Sequence, residues 1–75
     1  MIGYSQQIVV ANREADQQLL GVRLGRYCIV RDIPVSHVAR YFKVTRQTVY
    51  NWFLGIHAPG KPQAEKIDEF LSKVI

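Results

Sequence analysis

Acidic residues are missing from the whole middle of this 75-residue chain: none stands between Asp32 and Glu65. Arg40, Lys43, Arg46 and Lys61, together with His37 and His57, all fall in that interval. The middle therefore carries the positive field of a chain with net charge +4 and a pI near 9.6, an arrangement that favours a polyanionic partner. Cysteine is nearly absent as well. Cys28 stands alone, so no intramolecular disulfide can staple the fold, and it reads as a small buried apolar side chain. No Cys/His set has zinc-site spacing and neither histidine has a carboxylate patterned beside it, so no metal and no cofactor is expected. No apolar run approaches the ~20 residues that span a bilayer, and the start MIGYSQQ lacks the basic-then-apolar layout of a signal peptide. The expectation is a soluble protein of a reducing compartment, cytoplasmic, with no membrane partner. Nucleophile–base pairs, phosphate-cradling glycine loops and paired carboxylates are also missing at workable spacing, which argues against an enzyme.

What is present reads as one folded helical domain. Apolar residues make up 48% and charged residues 21%, a globular balance, and the length suits a single core. Residues 1–11 hold Gly3 and Ser5 and then Ile8, Val9, Val10 and Ala11; this N-terminal arm could be a short edge strand, a flexible segment or the lead into a helix. From Asn12, an N-cap candidate, Ala15, Leu19, Leu20, Leu24, Tyr27 and Cys28 recur at three- and four-residue steps, which predicts a helix running to about Arg31. Gly21 and Gly25 weaken it by about 1 kcal/mol each. Pro34 suits the first turn of a second helix over about 35–42, with Val38, Ala39 and Phe42 as its apolar face. Thr45 is the N-cap candidate of a third, whose Val49, Trp52 and Phe53 turn inward and which Gly55 stops. A turn-prone linker then leads to a fourth helix with Ala64, Ile67, Phe70, Leu71 and Val74 on one stripe. The fold class expected is all-α, a small orthogonal four-helix bundle over 12–75 with an N-terminal arm or short strand.

The two short helices form one unit. Val38, Ala39, Phe42, Val44, Val49 and Trp52 are its apolar positions and only Lys43, Val44 and Thr45 connect the helices. The small Ala39 permits a close crossing and Val44 plugs the corner, which is helix-turn-helix spacing over about 35–55. Its consequence is that the outward face of the helix starting at Thr45 stands proud, at a size that enters a DNA major groove.

The pattern resembles the lambda-repressor-like, Cro/C1-type helix-turn-helix family. An apolar–alanine pair is followed by a small turn, a Ser/Thr-led recognition helix with an inward aliphatic, then Gly and Pro; here these are Val38-Ala39, Val44, Thr45-Arg46-Gln47-Thr48, Val49, Gly55 and Pro59. The match covers about residues 20–60. It departs at Lys43, where the family usually has a left-handed glycine, and at Val35, where relatives often place a phosphate-holding glutamine; that task passes to Ser36 or His37 or is dropped. The resemblance implies a sequence-specific double-stranded DNA-binding transcriptional regulator, a repressor of phage or mobile-element type, nucleoid-associated and without catalytic activity.

Removing the inward residues leaves Arg46, Gln47, Tyr50, Asn51 and Leu54 outward, with Thr48 near the amino end. Arg pairs with guanine O6/N7, Gln and Asn with adenine N6/N7, and Thr methyls touch thymine. By the resemblance, Arg46, Gln47 and the loop residue His57 match base-contacting positions, to which Tyr50 and Asn51 are added. Ser36, His37, Arg40, Lys43, Thr45, Thr48 and Lys61 are the candidates for phosphate contact. Plain solvation of this polar face is the competing reading, Tyr50 could equally contact a protein or pack, and His57 could be an ordinary loop residue. One module buries limited surface, so a homodimer on a palindromic site is expected. Phe70, Leu71 and Val74 are the first candidates for its interface, and strand pairing through Ile8 to Val10 the second. The alternative function is a helix-turn-helix used as a protein-interaction factor on host transcription machinery.

Overall fold

Side-chain hydrogen bonds to the backbone, which periodicity does not register, decide how the chain begins. The computed structural model describes residues 4–74. Its first helix, α1, covers Gln6–Glu14, and the Ser5 hydroxyl caps it by accepting the Ile8 N–H at 3.2 Å. Most of the expected arm is therefore helical; residues 1–3 of it lie outside the described residues. Ile8 and Val9 pack half-buried against the core, and with the backbone of residues 6–14 committed to a helix, strand pairing through Ile8 to Val10 is ruled out in this fold.

The long helix expected from Asn12 is two helices. After α1 the chain breaks at Ala15 and resumes as α2, Leu20–Val30. The Gln17 amide nitrogen reaches three carbonyls at the end of α1, those of Asn12 at 2.7 Å, Ala15 at 3.0 Å and Arg13 at 3.1 Å. One residue earlier, the Asp16 carboxylate accepts the Gln18 N–H at 2.9 Å. Such local bonds offer the backbone an alternative to continued helix. The remaining elements lie where expected: α3 Val35–Phe42, α4 Arg46–Phe53 and α5 Lys61–Val74. Among the described residues the fold is thus all-α with a helix-turn-helix, built from five helices rather than four, and without a strand.

α2 lies against α1, α4 and α5. Leu24 and Cys28 meet Val38, Ala39, Phe42, Val49, Trp52, Phe53, Ile67 and Leu71 in one core, with the Phe42 and Trp52 rings edge to face at 5.9 Å. The two helical glycines are explained by closeness. A Cβ on Gly21 would stand 2.7 Å from the Trp52 carbonyl oxygen, and one on Gly25 would stand 2.7 Å from the Asn12 amide and 2.8 Å from Phe53 Cγ. The propensity lost in α2 is thus exchanged for direct contact with α4.

Asn12 is the second correction. It is no N-cap but a buried side chain, 1% exposed, whose amide nitrogen donates to Val22 O at 3.1 Å and to Phe53 O at 2.7 Å. One side chain thereby ties α1, α2 and the end of α4. Tyr4 adds a second tie, its hydroxyl donating to Ile33 O and its ring standing 6.2 Å from that of Phe53. Leu71 is the third correction: at 2% exposed it belongs to the monomer core and is not open to a second copy. Phe70 and Val74 are half-buried.

Candidate nucleic-acid interface

The turn between α3 and α4 is held by the backbone before any side chain acts. Lys43 sits at φ 59°, ψ 46°, in the left-handed region. Its N–H bonds to Arg40 O at 3.3 Å and the Val44 N–H to Ala39 O at 3.0 Å, the paired bonds of a Schellman motif. Val44 then packs on the core from outside the helix, plugging the corner as its place in the sequence implies. The same motif closes the two neighbouring helices. Asp32 at φ 57° ends α2 with Ile33 N–H to Cys28 O at 2.8 Å, and Gly55 at φ 74° ends α4 with Ile56 N–H to Asn51 O at 2.9 Å. Only the last of these three left-handed positions is a glycine, which is why the sequence signals one such turn clearly and conceals the other two.

Thr45 caps α4 as expected: its Oγ1 accepts the Thr48 N–H at 3.1 Å and lies 2.8 Å from the Thr48 hydroxyl. Thr48, half-buried, is thereby spent largely on the cap. Val49, Trp52 and Phe53 are buried, and the opposite stripe is centred on Gln47 and Asn51. These two are joined, the Gln47 amide nitrogen donating to Asn51 Oδ1 at 3.1 Å. The bond fixes both amides side by side, and the Gln47 carbonyl oxygen and the Asn51 amide nitrogen have no protein partner among the described residues. An acceptor and a donor held on a helix one turn apart form an arrangement that can address base edges. Arg46 is exposed at the first position of the helix.

The other candidates are distributed less evenly. Tyr50 is half-buried and rests on the core, so only part of its ring joins the outward stripe. His57 is exposed in the loop after α4, its N–H on Asn51 O at 3.3 Å, and Lys61 is exposed as the first residue of α5. Arg40 and Lys43 are exposed and Ser36 partly so. His37 sits elsewhere: it lines an apolar groove with Leu24, Cys28, Tyr41 and Phe70. Val35, read as a departure from the resembled pattern, is buried and packs into the core.

Comparison with family models, curated proteins and solved structures finds no match to this chain.

The contacts of three residues behind this face escaped the sequence reading. Asn12 braces α4 from behind by donating to the Phe53 carbonyl, one of the carbonyls a helix end leaves without an internal partner. Its partner lies 41 residues away, so no local signal could reveal it. The Gly21 and Gly25 contacts share that character. Among the described residues no helix is long and apolar enough to cross a membrane, and no group of three or more His, Cys, Asp or Glu is placed to hold a metal ion.

Proposed function

We propose that this protein is a sequence-specific double-stranded DNA-binding regulator of the lambda-repressor-like, Cro/C1 type, acting as a repressor in the cytoplasm and inserting α4 into the major groove. The observation that carries the reading is the Gln47–Asn51 pair: two amides joined at 3.1 Å on the outward face of a helix whose entry turn and N-cap are fixed by hydrogen bonds. Arg46 and His57 extend that face, and Arg40, Lys43, Lys61, Ser36 and the Thr45 end of α4 are the groups for phosphate contact. The acid-free stretch between Asp32 and Glu65 keeps repulsive charge away from a phosphate backbone. A homodimer on a palindromic site supplies the buried surface one module lacks, with Phe70 and Val74 the residues left for a partner copy once Leu71 is assigned to the core.

Selection of bound sites from a random duplex pool tests the reading. A palindromic consensus is expected, with affinity falling steeply as salt rises. Gln47→Ala should relax preference at one base position at a cost of about 1–3 kcal/mol, while Lys61→Ala should weaken all sequences alike and lower the salt slope by about 1. Absence of duplex binding at low salt, or silence of Arg46 and Gln47, would transfer the protein to the class of helix-turn-helix factors that act on host transcription proteins.

A further inference from the structure

The cations of the DNA-facing half leave four arginines unexplained. Arg13, Arg23, Arg26 and Arg31 are all exposed on α1, α2 and the residue that ends α2. At about 100° per residue, Arg23, Arg26 and Val30 centre roughly 150° round α2 from Gly21 and Gly25, the residues that touch α4. A duplex held by α4 is therefore on the far side of the domain from them.

Two concavities flank this stripe. A cavity of about 330 Å³ is lined by Arg23, Arg26, Tyr27, Val30, Arg31 and Leu71. A smaller one of about 100 Å³ lies between α1 and α2 and shares Arg26 and Val30 with it, adding Arg13. Neither has an acidic residue in its lining. Val30, between them, is 72% exposed, the most exposed large apolar side chain among the described residues. The Arg31 guanidinium stands 4.8 Å over the Tyr27 ring, which holds that cation at the rim of the larger cavity.

We propose that this face of α2 is a docking surface for an acidic segment of another protein. Carboxylates of the segment pair with Arg23, Arg26 and Arg31, and one large apolar side chain seats against Tyr27 and Val30, above the buried Leu71. Charge complementarity decides the sign of the partner, since guanidinium groups match carboxylates with two parallel hydrogen bonds. The apolar centre decides its class: phosphates of a second duplex would offer Val30 nothing, whereas an apolar anchor ringed by arginine pairs is how protein interfaces are built. This inference does not rest on the DNA reading and stands if α4 touches no DNA.

The experiment is a selection of random displayed peptides on the immobilised full chain, with the Arg23→Glu/Arg26→Glu double variant as counter-target. Both arginines are exposed, so the variant should keep the far-ultraviolet spectrum and melting temperature of the parent. Enriched peptides should carry Asp or Glu flanking a Leu, Phe or Trp. Their binding, followed by fluorescence anisotropy, should fall at least about tenfold in the double variant and in Val30→Asp. Peptides without acidic excess, or with equal affinity for the variant, would overturn the proposal. So would two other outcomes: a parent that sediments as an oligomer while the variant is monomeric, which would give the surface to Glu65, Asp68 and Glu69 on α5 of a second copy, or a duplex affinity lost through the variant as through Gln47→Ala, which would give the arginines to DNA.

Discussion

Replacing Asn12 by alanine should cost this domain a large share of its stability. The side chain is 1% exposed and makes two hydrogen bonds, to Phe53 O at 2.7 Å and Val22 O at 3.1 Å. Val22 O lies inside α2 and keeps its helical partner, so losing the longer bond removes about 0.5–1 kcal/mol. Phe53 O is at the end of α4, and among the backbone bonds of that end, from Leu54, Gly55, Ile56 and His57, none goes to it. Stripped of Asn12 it becomes a buried acceptor without a partner, at about 1–3 kcal/mol. The sum is about 1.5–4 kcal/mol, before any cavity is counted. A 75-residue domain has a total stability of about 4–11 kcal/mol, so the variant should melt about 6–30 °C lower. Leucine at the same position should do no better, since it fills the volume and donates nothing. Urea unfolding followed by circular dichroism gives the free energy directly. A loss below about 0.5 kcal/mol in both variants would refute the assignment of Asn12 as the tie between α1, α2 and α4.

Further outcomes follow from the same geometry. Lys43→Gly relieves a side chain held at φ 59° and should raise stability by about 0.5–1 kcal/mol in thermal unfolding, while weakening duplex binding through the lost charge; a destabilised variant would count against the turn described. Gly25→Ala places a methyl 2.7 Å from the Asn12 amide and 2.8 Å from Phe53 Cγ, and should lower stability by about 1–3 kcal/mol, against the gain in helix propensity that alanine brings elsewhere. Burial raises the Cys28 thiol from 9.0 to about 12, and burial first, then the neighbouring Cys28, Tyr50 and Asp32, raises the Tyr4 phenol above its ordinary 10.0. The folded chain keeps both protons where the unfolded chain loses them, so this stability is full below about pH 9 and is lost as pH climbs towards the folded values. Denaturant midpoints measured from pH 7 to 11 should be level and then fall, and Cys28→Ala should flatten the onset of that fall.

The helix-turn-helix was legible because every feature it needs is local. Thr45 caps within three residues, the 3.6-residue period of Val49, Trp52 and Phe53 turns one face inward, and the spacing of Ala39 and Val44 sets the corner. The start of the chain was not legible, because Ser5, Asp16 and Gln17 act through single hydrogen bonds to nearby backbone that leave no periodic trace. Within the candidate interface the residue types on the face were readable from their spacing. The bond joining Gln47 to Asn51, the half-burial of Tyr50 and the transfer of His37 to the α3 flank beside Phe70 were not, since each depends on which rotamer or neighbour is adopted.

By itself, then, the sequence determined the helical class, the positions of α3, α4 and α5, and the polar composition of the outward face, all consequences of short-range periodicity and capping. Only the tertiary structure decided that Asn12 is a buried clamp, that Gly21 and Gly25 admit α4, that Leu71 is core and that Arg13 of α1 joins the arginines of α2. Those facts depend on pairs of residues far apart in the chain, and such pairs meet only when the helices have packed.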